Sequence, residues 1–360
     1  MTKRFTETRA ARARRSRLVV VSSVAVAVLG VAAWPAMSFF DIPPFTDKGE
    51  PVSYGRVGRA ISGGKPADTR TLLPTGPEAA FTNAETLGDG TKIGVVTLEG
   101  GKSGFKGKVW VWAPKEYTDD PKYAKSGFPV LIALPGGPGY GSNYWMGRPG
   151  GFSLQESISE WFHAGSSKPF LLAMPELNPG PGDKGIYWDG SDIPGQPKMG
   201  TWLTEDVPDL MRANFRTLKS RDGWAFMGSS TGGFAGLKAV LKHPDKFKAV
   251  IANGPDVVPD SPLWNGHEKE KAENNPEVLA KRLIDTKGPD VYLSFQVGTK
   301  ENASTMRSVK NFMRSYGEGP VHTKLWEIPG GSHNGATYGA NMAGPMKWIS
   351  DHLEGPPHSP

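Results

Sequence analysis

The stretch Gly228-Ser229-Ser230-Thr231-Gly232 lies between an apolar run, Trp224-Ala225-Phe226-Met227, and a run of helical spacing from Phe234 to Lys242. A chain passes that abruptly from strand to helix only when the corner residue accepts a strained backbone. Side chains two positions away on either side would also crowd the turn, so glycine is needed there. The G-x-S-x-G spacing meets this demand at Ser230 and not at Ser229, which would need glycine where Met227 stands. A serine at such a corner is held at the carboxyl end of its strand, the arrangement of a nucleophile elbow. Ser230 is therefore the candidate nucleophile, and the bland alternative is a helix N-cap serine among glycines.

The rest of the chain reads as strands alternating with helices. Residues 92–98 and 106–113 alternate apolar and polar side chains and predict an antiparallel pair. Residues 128–134, 170–174, 223–227, 249–253 and 291–297 are continuous apolar runs, as strands covered on both faces must be, and 323–328 adds a last strand. Helical spacing is expected over 200–215, 304–316 and 341–353. This alternation predicts the α/β-hydrolase class, a mostly parallel central sheet flanked by helices, with its site at the carboxyl ends of the strands.

A serine hydroxyl needs a histidine to take its proton and an acid to orient that histidine. In this fold the chain order is serine, acid, histidine. Of the seven histidines, His163 precedes the serine, and His333 alone stands in a loop directly after the last expected strand. For the acid, Glu301 is the carboxylate at the carboxyl end of strand 291–297, and Asp256, after the preceding strand, is its rival. Two N–H donors should face the developing oxyanion. One is the residue after the nucleophile, Thr231. The other comes from Leu134-Pro135-Gly136-Gly137-Pro138-Gly139, where both prolines lack an N–H and leave Gly136 and Gly137 as candidates. Trp145, Trp161, Trp188 and Trp202 are candidate cleft walls. No metal-binding spacing or phosphate loop is visible, so no cofactor is expected, and Asp183, Asp189 and Asp192 read as solvated turns.

The formal net charge of +6 belongs wholly to residues 1–17, where seven bases face one acid. A basic tail of that kind does not make a nucleic-acid surface of the remaining chain. It precedes an apolar segment over 18–40, which predicts the tail inside the cell and the chain after it outside, through a signal anchor or a cleaved signal peptide. Residues 41–82 read as a Pro/Gly-rich linker that crosses the envelope or wraps the domain, and 83–355 as the catalytic domain. Cysteine is absent, which excludes disulfides and thiolate chemistry.

With these residues assembled, the chain resembles the esterase D-like group of α/β hydrolases, which includes the antigen 85 mycolyltransferases. The likeness runs through Thr201 to Pro208, the elbow, His243-Pro244-Asp245-Lys246-Phe247, Gly298-Thr299-Lys300-Glu301 and Gly331-Ser332-His333. It implies Ser230, Glu301 and His333 as the triad and Gly137 and Thr231 as oxyanion donors. Trp161 also stands where that group carries an aromatic pair, and Trp161, Gly136, whose lack of a side chain permits close approach, and the candidate wall Trp145 are the expected substrate-binding residues. Where mycolyltransferases carry Asp-Gly-Leu-Arg after the third strand, this chain has Pro135-Gly136-Gly137-Pro138, without the charges that hold trehalose. The implied activity is a carboxylesterase acting on small or lipid-like esters. The alternatives are an acyltransferase, and a non-catalytic binding protein on the same scaffold.

Overall fold

The computed structural model describes residues 49–54, 66, 68–137, 142–147, 152–178 and 187–359. The basic tail 1–17, the expected membrane segment 18–40, Pro138, Gly139 and Asp183 lie outside the described residues. Among the described residues no helix is long and apolar enough to cross a membrane.

A nine-stranded sheet forms the centre of the fold. In chain order the strands are β1 (Thr71–Leu72), β2 (Thr82–Thr86), β3 (Lys92–Glu99), β4 (Lys106–Trp112), β5 (Val130–Leu134), β6 (Leu171–Pro175), β7 (Thr217–Leu218), β8 (Trp224–Ser229), β9 (Ala249–Asn253), β10 (Val291–Gly298) and β11 (Val321–Ile328). The sheet runs β11-β10-β9-β8-β5-β6-β4-β3-β2, and β1 pairs with β7 separately. From β11 to β6 every pair is parallel, whereas β4, β3 and β2 are antiparallel. Every residue of β5, β6, β8 and β9 is buried, which is why these segments are apolar throughout. The edge strand β11 buries only its two end residues and reads accordingly as mixed. This is an α/β-hydrolase-like fold, as the alternation of elements predicts.

The longer helices are α1 (Leu154–His163), α2 (Val207–Asn214), α3 (Thr231–Lys242), α4 (Pro276–Asp285), α5 (Ala303–Tyr316), α6 (Gly335–Ala340) and α7 (Ala343–His352). Helix α3 follows the elbow and is buried from Thr231 to Leu241, so it is a core element with apolar residues on all sides. By contrast, α5 buries only Val309 and Phe312. The helix expected over 200–215 forms with an interruption: a short turn, Met199–Thr201, then a π-helical turn, Trp202–Asp206, then α2. Pro208 has no N–H to give to the preceding turn, and the wider turn absorbs that loss.

Described residues of the expected linker wrap the domain. Tyr54 donates its hydroxyl to the Val111 carbonyl (2.6 Å), accepts the Gly94 N–H (2.6 Å) and packs on Phe81 and Phe215. The Val52 N–H bonds to the Phe81 carbonyl (2.9 Å). Regular pairing therefore begins before residue 83, at β1.

Asp189 and Asp192 are not solvated turns. Asp189 is 1 % exposed and accepts from Trp264 Nε1 (2.7 Å). Lys238 reaches out of α3 and donates Nζ to the Asp189 and Gly190 carbonyls (3.0 and 2.6 Å). Asp192 accepts from the Thr201 N–H (2.9 Å) and hydroxyl (2.7 Å). Glycine and aspartate in that segment mark a packed turn rather than an exposed one.

Candidate active site

Ser230 stands between β8 and α3 with φ 53° and ψ −120°, in the region that L side chains rarely adopt. Its N–H bonds to the Asn253 carbonyl at the end of β9 (2.8 Å), and its carbonyl opens α3 by accepting from Phe234 (2.9 Å). Each flanking glycine is closed in by backbone where a side chain would stand. A Cβ at Gly228 would lie 2.4 Å from the Gly232 carbonyl carbon, and one at Gly232 would lie 2.3 Å from the Pro135 carbonyl oxygen. Those contacts are the steric demand read from the G-x-S-x-G spacing, and any side chain would push the corner off β5.

The carboxyl ends of β10 and β11 supply the acid and the histidine. Glu301 follows β10 and its side chain is 1 % exposed, while His333 follows β11 and is 44 % exposed. Glu301 Oε2 meets His333 Nδ1 at 2.7 Å. Glu301 Oε1 accepts from the Gly298 N–H (2.6 Å) and the Tyr338 hydroxyl (2.9 Å). Burial alone would raise the Glu301 carboxyl, but the bonds from His333, Gly298 and Tyr338 outweigh it and hold the group below its usual range. The hydrogen bond to Glu301 lifts His333 above the usual imidazole value, against burial and with help from the charge of Asp256. Asp256 is itself raised, first by burial and then by Asp260. Of the two candidate acids, Glu301 bonds to His333, while Asp256 acts on it only through its field.

Gly254 connects this pair to the elbow. It follows Asn253, whose carbonyl holds the Ser230 N–H. A Cβ at Gly254, where φ is +50°, would lie 2.2 Å from the Tyr338 hydroxyl, 2.7 Å from Glu301 Oε2 and 2.8 Å from His333 Nδ1. The imidazole thus rests on the residue next to the one that anchors the serine, and no side chain fits beneath it.

The oxyanion candidates meet across the same corner. The Thr231 hydroxyl donates to the Gly137 carbonyl (2.9 Å) and ties those two residues together. The Gly136 N–H is taken by the Tyr144 hydroxyl (3.0 Å). Asn143 Nδ2 donates to the Ala133 and Pro175 carbonyls (2.8 and 3.0 Å), which fastens this loop to β5 and β6. Trp145 belongs to the same fastening. It is 2 % exposed and donates Nε1 to the Leu134 carbonyl (2.8 Å), so it supports the loop from within and offers no face to a ligand. Trp202, 0 % exposed, is likewise core.

Trp161 lies at the other end of the sheet. Helix α1 runs back from the end of β5 toward the start of β6, and Trp161 is in its last turn. Two residues on, His163 Nε2 bonds to Glu116 Oε1 (2.9 Å). Glu116 follows β4, whose last residue, Trp112, pairs with Leu172 at the start of β6. That is the amino-terminal edge of the parallel strands, opposite Ser230. A tryptophan read from sequence as a cleft wall is placed by the direction of its helix, which single-residue reasoning does not carry.

Gly254, Tyr144 and Tyr338 were not visible as site residues in the sequence. Asn253-Gly254-Pro255 after an apolar run is a weak signal for the first. Nothing marks the tyrosines, because their roles come from contacts between segments distant in the chain.

Residues 104–339 match the model of the Esterase family, a span that includes Ser230, Glu301 and His333. An uncharacterised Corynebacterium glutamicum protein is 21% identical over 304 residues, covering 79% of this chain and 68% of that protein. The MPT51 antigen of Mycobacterium leprae is 30% identical over 119 residues, 32% of this chain and 38% of the antigen. Among solved structures, a ferulic acid esterase superposes with a TM-score of 0.59 at 18% identity, covering 73% of this chain and 99% of that one. That last likeness is one of fold.

Proposed function

This chain belongs to the Esterase family of ester-hydrolysing enzymes, and from that premise we propose that it is an exported serine carboxylesterase working through Ser230, His333 and Glu301. The observation that carries the assignment is the 2.7 Å contact between Glu301 and His333 over Gly254, beside a serine at φ 53°. In this reading His333 Nε2 takes the Ser230 proton as Oγ attacks the ester carbonyl, and later returns a proton to the leaving alcohol. Glu301 keeps Nδ1–H in place and stabilises the imidazolium. The Gly137 and Thr231 N–H groups take the oxyanion. Water then releases the acyl group.

The Gly136–Gly137 loop is uncharged, so it offers no bidentate partner for sugar hydroxyls. Water is therefore the expected acceptor, with an alcohol acceptor as the second reading. Labelling with a fluorophosphonate probe should mark the wild type and spare Ser230→Ala. A series of p-nitrophenyl esters should show kcat/KM rising over the first few acyl carbons, at about 0.8 kcal/mol per buried methylene, and then levelling. Efficient acyl transfer to added trehalose with negligible hydrolysis would establish the transferase reading instead.

Export rests on the sequence of residues 1–40, seven bases and then an apolar run. Protease added to intact cells should digest the catalytic domain while sparing an N-terminal tag. A domain that survives that treatment would refute the placement.

A further inference from the structure

We infer that Tyr338 is a positioning residue for the Glu301–His333 pair, its hydroxyl fixing the carboxylate so that Oε2 alone faces the imidazole. The inference rests on the reading of Ser230, His333 and Glu301 given above. Tyr338 is 1 % exposed and sits in α6, one turn and a little beyond His333. Its hydroxyl lies 2.9 Å from Glu301 Oε1 and 2.9 Å from His333 Nδ1. Its ring meets the imidazole edge to face, with centroids 5.9 Å apart and planes at 87°.

A carboxylate held by one donor can rotate about its last torsion and present either oxygen. Here Oε1 carries two donors, the Gly298 N–H and the Tyr338 O–H. Rotation would break both, so Oε2 stays on Nδ1. That fixes the tautomer with the proton on Nδ1 and leaves Nε2 as the acceptor for the serine proton. Tyr338 keeps its own proton throughout, because burial and then the neighbouring Glu301 charge push the phenol above its usual range. The close approach at Gly254 has the same origin, since a Cβ there would strike the hydroxyl first, at 2.2 Å.

Tyr338→Phe keeps the ring and removes only the donor. The expected result is a fall of about tenfold in kcat with little change in KM for a p-nitrophenyl ester, the size expected for one hydrogen bond to a charged group. The pH profile adds a readout that packing alone would not move. Without the phenol donor the carboxylate is more basic and stabilises the imidazolium further, so the acid limb of kcat/KM should move to higher pH. Incorporating 3-fluorotyrosine in place of Tyr338 makes the hydroxyl a stronger donor with the fold untouched, and should move that limb to lower pH. The downfield Nδ1–H proton resonance of His333, observed without substrate, should shift in both variants whether or not the enzyme turns over. Failure of the wild type to hydrolyse esters would therefore count against the proposed function, and the resonance would still decide on Tyr338. An unmoved resonance, or an unchanged kcat with an unmoved acid limb in an active enzyme, would overturn the inference.

Discussion

Ser230→Ala is expected to lower kcat for a p-nitrophenyl ester by at least roughly 10⁴-fold, with thermal unfolding unchanged. The substitution removes one oxygen at the elbow and leaves both glycine contacts and the Asn253 hydrogen bond in place. His333→Ala should cost about as much, and the double variant little more than either alone, because nucleophile and base act as a unit. Glu301→Gln should leave measurable turnover, roughly 10²- to 10⁴-fold below wild type, since the acid orients and stabilises without exchanging its proton. Asp256→Asn should stay near wild type, because Asp256 acts on His333 only through its field. Steady-state kinetics on the four single variants and the double variant decides the matter. An inactive Asp256→Asn and a near-normal Glu301→Gln would exchange the roles of the two acids, whereas Ser230→Ala with full activity would remove the serine mechanism altogether.

Gly254→Ala should also lower turnover, by about 100-fold, although the residue carries no side chain that could take part in the chemistry. The added methyl would lie 2.2 Å from the Tyr338 hydroxyl, 2.7 Å from Glu301 Oε2 and 2.8 Å from His333 Nδ1. All three are far inside contact distance, and the backbone there already has φ +50°. Neither Tyr338 nor Glu301 has room to retreat, both side chains being 1 % exposed. The half-exposed imidazole is therefore the group expected to give way. Displacement of a catalytic base by about 1 Å costs about 100-fold in rate. The expected signature is kcat reduced by that order, with fluorophosphonate labelling slowed in proportion and the far-ultraviolet circular dichroism unchanged. A Gly254→Ala enzyme with wild-type kcat would show that the imidazole does not rest on this residue.

The features legible in the chain are those whose physical cause is local. A serine corner needs glycines two positions away, and Gly228 and Gly232 meet that need by touching one another and β5. Strands buried on both faces must be apolar throughout, which made β5, β6, β8 and β9 plain within a residue or two of their ends. Chain order and strand ends pointed to His333 and narrowed the candidate acid to Glu301 or Asp256, because parallel strands bring their carboxyl ends to one edge, and the hydrogen bond to His333 separates the two. Side-chain partnership across distant segments left no such trace. Tyr338 on Glu301, Tyr144 on Gly136 and Tyr54 against the antiparallel strands all join residues whose local sequence says nothing of their partners. The tryptophans divide the same way: type and spacing mark Trp145 and Trp161 alike as aromatic. Yet one is sealed beneath the Gly136–Gly137 loop, and the direction of α1 carries the other to the far edge of the sheet. Backbone periodicity and steric exclusion act over a few residues and are written in the chain. The partner of a buried hydroxyl or carboxylate depends on how whole elements pack, and that is settled only when the sheet and its helices come together.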